Sequence, residues 1–145
     1  MVCAGNGTWN ITQPVCEIVK CPQPVTPING SHAPERTLYS YTDTVQYTCP
    51  IEFNLRGVWN NTCNATGQWS NEAPVCVIKD CGNLTAPVNG TVDMTGTTVY
   101  SVARYNCTVG YRMIGYNERT CTTSEHWTLE SPHCELIGKT YTFIY

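Results

Sequence analysis

An all-β fold made of small modules in tandem, each stapled by cysteine pairs like beads on a string, is what this sequence predicts. Three observations carry the prediction. A fourteen-residue frame occurs three times, as CAGNGTWNITQPVC (Cys3 to Cys16), CNATGQWSNEAPVC (Cys63 to Cys76) and CTTSEHWTLESPHC (Cys121 to Cys134), each with Trp six residues after its first Cys. Four cysteines recur in just under sixty residues, at Cys21, Cys49, Cys63 and Cys76 and again at Cys81, Cys107, Cys121 and Cys134. No window has a helical period, whereas several short segments alternate apolar and polar residues. Self-similarity at a fixed period is the signature of a repeat architecture.

Taken in order, residues 1–18 match only the last quarter of the repeat, so Cys3 and Cys16 are expected to lack partners. A chain that opens Met1-Val2-Cys3, inside a repeat, is expected to be a piece of something longer. The first full unit is placed at 19–78, the second at 79–136, and a tail without cysteine at 137–145. In the first unit Asn29-Gly30 marks a turn, and Thr42 to Cys49 alternates with Val45, Tyr47 and Cys49 on one side. In the second, Asn89-Gly90 repeats the turn and Ser101 to Cys107 repeats the alternation with Ala103, Tyr105 and Cys107. Four-residue connections join the units, and Ile18, Val19, Val77 and Ile78 within them are expected to pack between modules and limit their swing.

Units of this size bury too little apolar surface to be stable unaided. Pairing first with third and second with fourth cysteine would close loops of about forty and about thirty residues, each worth roughly 4 kcal/mol on a chain-entropy basis. Pairing third with fourth would force the Trp-containing stretch into a small ring. Ten cysteines in 145 residues persist as disulfides only in an oxidising compartment, which predicts an extracellular location, secreted or in an ectodomain. Eight Lys and Arg against eleven Asp and Glu, with no like-charge run, argue against nucleic acid or an anionic membrane as main partner. No stretch of about 18 apolar residues is present to span a bilayer.

The ordered set Cys21-Pro22, Asn29-Gly30, Val45, Tyr47, Cys49, Phe53, Leu55, Gly57, Cys63, Gly67, Trp69-Ser70, Pro74 and Cys76 resembles the sushi module, also called the complement control protein module or short consensus repeat. The second unit is similar through Cys81, Asn89-Gly90, Tyr105, Cys107, Gly110-Tyr111, Gly115, Cys121, Trp127, Pro132 and Cys134. The resemblance implies small, elongated β modules with bridges Cys21–Cys63, Cys49–Cys76, Cys81–Cys121 and Cys107–Cys134. It also makes Trp9, Trp69 and Trp127 core residues. The last copy departs at Glu125, where the others have Gly7 and Gly67, and at Ala103 in place of Val45; a changed turn and a slightly thinner core are expected there.

No catalytic constellation stands out, and the chain is read as a non-enzyme with no cofactor. Cys121, His126, His133 and Cys134 could be strung together as zinc ligands, but the same cysteines recur elsewhere without histidine, so surface histidines near a disulfide are the better reading. Asn-x-Ser/Thr acceptors are dense: Asn6, Asn10, Asn29, Asn60, Asn64, Asn83, Asn89 and Asn106 qualify. Asn10, Asn60, Asn64 and Asn83, in expected loops, are the better glycosylation candidates.

The function the resemblance implies is protein recognition outside the cell, as in complement regulators and receptors. Adhesion-receptor ectodomains, or spacer modules of a protein carrying a serine protease domain elsewhere, are the alternatives. Partners are then complement components or cell-surface proteins. Discrimination falls to loops the framework leaves free. The stretch from Gly30 to the second cysteine, which begins SHAPERTLYS, differs in length and charge from its counterpart after Gly90, which begins TVDMTGTTVY, so Arg36, Leu38 and Tyr39 are the expected contact residues, together with the junction Val77 to Asp80. Lacking a basic cluster, the chain should pass a heparin column; a folded-state patch of Arg104, Arg112 and Arg119 would reverse that.

Overall fold

Short β-prone segments broken by Pro, Gly and Asn cannot form long ladders, and in the computed structural model, which describes residues 16–138, no strand exceeds six residues and no helix occurs among the described residues. In the first unit β1 (Lys20–Cys21) will pair with β3 (Tyr39–Ser40). A three-stranded antiparallel sheet joins β2 (Ser31–Ala33), β4 (Thr44–Thr48) and β6 (Asn60–Thr62), with β4 central. A separate ribbon pairs β5 (Phe53–Arg56) with β7 (Val75–Ile78). The second unit repeats the plan: β8 (Gly90–Met94), β9 (Val102–Cys107) and β11 (Glu118–Thr120) form a sheet with β9 central, and β10 (Tyr111–Ile114) pairs with β12 (His133–Leu136).

Alternation along β4 buries Val45 and Tyr47 and turns Thr44, Gln46 and Thr48 outward, as period two requires. Along β9 the same phase buries Ala103 and Tyr105. The core of the first unit is Cys21, Tyr39, Val45, Tyr47 and Cys63, with Leu55, Trp69 and Ala73 packed against it. Four disulfides staple the units, Cys21–Cys63, Cys49–Cys76, Cys81–Cys121 and Cys107–Cys134, with Cα separations between 5.6 and 5.9 Å. Trp69 and Trp127 are half-buried rather than enclosed, because each indole N–H reaches the chain just past the first cysteine of its unit: Trp69 Nε1 donates to Pro22 O (2.9 Å) and Trp127 Nε1 to Gly82 O (3.0 Å). Trp9 lies outside the described residues.

The Asn-Gly pairs close their turns one residue earlier than a two-residue hairpin would. Gly30 N–H donates to Pro27 O (3.0 Å) and Gly90 N–H to Pro87 O (3.0 Å), with Asn29 and Asn89 in the left-handed region at φ 60° and 57°. The glycines serve proximity instead: a Cβ on Gly30 would stand 2.7 Å from Cys76 Sγ and 2.9 Å from Thr48 O, and one on Gly90 would stand 2.8 Å from Cys134 Sγ.

Ala103 takes the buried place of Val45 in the second unit, Val99 is buried there as well, and a further residue differs. The residue facing the first cysteine is Tyr39 in one unit and Thr97 in the other. The changed turn expected at Glu125 does not occur. Glu125 takes φ 62° where Gly67 takes φ 77°, and both turns close in the same way, Gly67 N–H to Asn64 O (3.1 Å) and Glu125 N–H to Thr122 O (3.1 Å). Backbone closure outweighs the cost of a side chain in this region.

Among the described residues the buried Asn61 (2% exposed) has partners on both of its amide atoms. Its amide donates to Asn71 O (2.6 Å), while its Oδ1 accepts from Asn71 N–H (2.8 Å) and Ser70 Oγ–H (2.8 Å). Arg119 occupies the equivalent place and pins the same return strand through Thr128 O (2.8 Å) and Ser131 Oγ (2.7 Å).

Candidate binding surface

Between β2 and β3 the first unit leaves its sheet earlier than the second does. The strand β2 pairs with β4 only as far as Ala33, whereas β8 continues against β9 to Met94. Residues 34–38 are therefore released from the ladder and held by side chains. Gln23 Nε2 donates to both Arg36 O (3.0 Å) and Thr37 O (2.8 Å). The Tyr39 hydroxyl donates to Pro34 O (2.8 Å) and accepts from Arg36 N–H (3.0 Å). Arg36 Nη1 meets Asp43 Oδ1 at 2.9 Å, and the other carboxylate oxygen accepts from Ser40 N–H (2.8 Å).

The result is a supported ridge. Leu38 is 62% exposed, Glu35 is exposed, and the Arg36 side chain is half-exposed. Gln23, His32, Glu35, Arg36 and Thr37 line a shallow polar groove beside it of about 360 Å³. Tyr39 is corrected here. Expected as a contact residue, it is 0% exposed, edge-on to Trp69 with ring centroids 5.3 Å apart, and paired with Cys21 across β1 and β3. It belongs to the core and holds the ridge from beneath. The legible signal was its register with the first cysteine, which a loop reading of the segment obscures.

The junction also differs from expectation. Val77 and Ile78 remain 45% and 43% exposed and belong to β7, so apolar linker packing does not join the two described units. Polar bonds do. Lys79 N–H donates to Glu52 O (2.9 Å), Lys79 Nζ to Thr123 O (2.7 Å), and Asn54 Nδ2 to Glu125 Oε1 (2.9 Å). Tyr100 hydroxyl donates to Glu52 Oε1 at 3.3 Å, and desolvation there, followed by the charge and hydrogen bond of Glu52, holds its pKa above the usual phenol value. The side chain of Glu125, placed by a backbone that usually selects glycine, is thus spent on the neighbouring unit.

Two of the three arginines expected to form a patch are paired with carboxylates. Arg104 pairs with Glu118 (3.0 Å), Arg112 with Glu135 (2.7 Å), and Arg119 is turned inward as described. Cys121 and Cys134 are in disulfides, which removes the thiolates a zinc site would use; His126 is exposed with Nδ1 2.6 Å from Ser124 O, and His133 lies exposed on β12. Cys16 is exposed and has no disulfide partner among the described residues, while Cys3 and Asn10 fall outside them. Of the remaining acceptors, Asn60 is exposed on β6, Asn83 is exposed beside Gly82, and Asn64 is half-buried in the 64–68 turn.

Comparison with known proteins agrees with this architecture. The family profile of the Sushi repeat (SCR repeat) matches residues 21–76 and 81–134. The chain is 32% identical over 138 residues to "Sushi, von Willebrand factor type A, EGF and pentraxin domain-containing protein 1" of Rattus norvegicus, covering 95% of this chain and 4% of that protein. It is 31% identical over 143 residues to E-selectin of Sus scrofa, covering 93% of this chain and 30% of that protein. P-selectin of Mus musculus is 30% identical over 142 residues, with 94% and 18% covered. The chain thus spans under a third of the length of each of these relatives. Paired cysteines, half-buried tryptophans, bridge-facing glycines and the profile match at both units lead to one assignment: this chain belongs to the sushi repeat family.

Proposed function

We propose that residues 19–78 and 79–136 act together as a non-catalytic, protein-binding segment of an extracellular or cell-surface protein, with the ridge Glu35, Arg36 and Leu38 as its contact surface. The observation that carries this reading is the ridge itself: an exposed leucine beside an arginine, on a segment present in one unit and replaced by ladder in the other, and fixed by Gln23, Tyr39 and Asp43 before any partner arrives. Fixing a loop in advance lowers the ordering cost of binding, and arginine is among the residues that dominate interface energy when buried. The junction at Lys79 and Asp80 holds the second unit in a defined orientation and extends the available surface. Selectins among the relatives favour an adhesion ectodomain over a complement-regulating one. Binding of the secreted chain to cells should fall about tenfold or more in Arg36→Ala with Leu38→Ala, as hot-spot truncation does. Unchanged binding, with the disulfide map intact, would move the site off the ridge; binding instead to immobilised complement fragments, and not to cells, would favour the regulator reading.

A further inference from the structure

We infer that Asn64 carries an N-linked glycan, presented by the turn that holds it. The Asn64 Oδ1 accepts three hydrogen bonds, from Thr66 N–H (2.9 Å), Thr66 Oγ–H (2.6 Å) and Gln68 N–H (3.0 Å). Backbone N–H groups can only donate, so the amide oxygen is fixed on that side and the amide nitrogen on the other. Nδ2, the atom that is glycosylated, has no partner among the described residues, and the flanking Ala65 and Thr66 are exposed. A glycosylated amide retains its oxygen, so all three bonds survive the modification. The hydroxyl of the sequon threonine is already hydrogen-bonded to the acceptor amide.

Three of the other acceptors differ. Asn29 and Asn89 sit in left-handed turns whose following glycines are pressed against the disulfides. Asn106 lies on the central strand β9 next to the bridged Cys107. The bonds of the 64–68 turn are all local, including Asn64 N–H to Gln68 O (2.8 Å), so the turn can form in the nascent chain before Cys63 is bridged. In the second unit the same turn has Thr122 in place of asparagine, with Oγ–H donating to His126 O (2.8 Å), and it meets the preceding unit through Thr123 and Glu125. The copy that bears the acceptor is thus the first, at the Lys20 end of its unit, where Gly67 approaches Lys20 O. In the transfer step a lipid-linked oligosaccharyl diphosphate is the donor. The bond from sugar C1 to the diphosphate oxygen breaks, the Nδ2–C1 bond forms, Nδ2 gives up one proton, and the lipid diphosphate leaves with the electron pair.

The test is site mapping on the whole chain secreted from a eukaryotic cell line, released with peptide N-glycosidase in oxygen-18 water and fragmented to separate position 64 from position 60. Heavy-labelled aspartate at 64 is expected, with Thr66→Ser retaining the glycan and Thr66→Ala losing one glycan's mass. Recovery of unmodified Asn64 from the secreted wild-type chain would overturn the proposal, and so would an unchanged glycan count in Thr66→Ala. Should Thr66→Ala not be secreted, the wild-type map alone decides.

Discussion

Tyr39 shows how one side chain can connect core and surface. Its ring closes the packing against Trp69 and the Cys21–Cys63 bridge, while its hydroxyl holds two backbone groups of the exposed ridge. Tyr39→Phe should therefore destabilise the first unit by about 0.5 to 1.5 kcal/mol, the net worth of an ordinary hydrogen bond, and denaturant unfolding under non-reducing conditions measures it. A loss well under that range would mean water replaces the hydroxyl. Gly30 is a second single-residue constraint of a different kind. Any Cβ there meets Cys76 sulfur and the Thr48 carbonyl, so Gly30→Ala should cost about 1 to 3 kcal/mol through overpacking, again by denaturant midpoint. The sequence marks Gly30 as special through its repeat at Gly90, but not why: a turn and a close approach to a disulfide leave the same letter. Tyr39 was hidden for a comparable reason. Its neighbours Arg36 to Leu38 are a loop, and Thr42 in the left-handed region (φ 74°) interrupts the alternation that would have linked it to Val45.

At the level of elements, the 122–126 turn is the most instructive. Its backbone is that of the glycine-bearing copy, yet Glu125 stands there and reaches Asn54 in the other unit. Glu125→Gly should relieve the left-handed cost and raise the second unit's own stability by about 1 kcal/mol. The same change removes one junction bond, so the relative orientation of the units, read by residual dipolar couplings, should become less defined. Unchanged couplings would show that Lys79 and Tyr100 suffice. The Tyr100 phenol, raised by desolvation and by Glu52, holds its proton more tightly in the folded chain than in the unfolded one. Its contribution is present below the unfolded phenol value of about 10 and is lost as pH rises through the folded value, where phenolate would face carboxylate. Absorbance titration should show a tyrosine titrating later than ordinary phenol, and Glu52→Gln should bring it back toward normal. Periodicity made β4 and β9 legible to within a residue or two, because one face of each is buried. The junction was not legible, since hydrophobic linker letters suggested apolar packing and the strand β7 instead uses Val77 and Ile78 in a half-exposed ribbon.

For the molecule as a whole, the framework is repeated and the surface is not. Both units share the strand order, the bridge pattern, the Trp to backbone bond and the glycine against the second disulfide. They part at the β2–β3 connection, where the first unit raises Glu35, Arg36 and Leu38 and the second continues its sheet. Bridges and core could be read because identical needs select identical residues in each copy; the ridge could be suspected only from divergence, and its anchoring by Gln23 and Asp43 needed the structure. Photo-crosslinking on living cells tests the binding surface most directly, with a photoreactive residue placed at position 38 of the secreted chain and, in a second variant, at the exposed Val109 of the other unit. A discrete protein adduct from position 38, abolished by Arg36→Ala and not formed from position 109, is the predicted result. An adduct from position 109 with none from position 38 would contradict it.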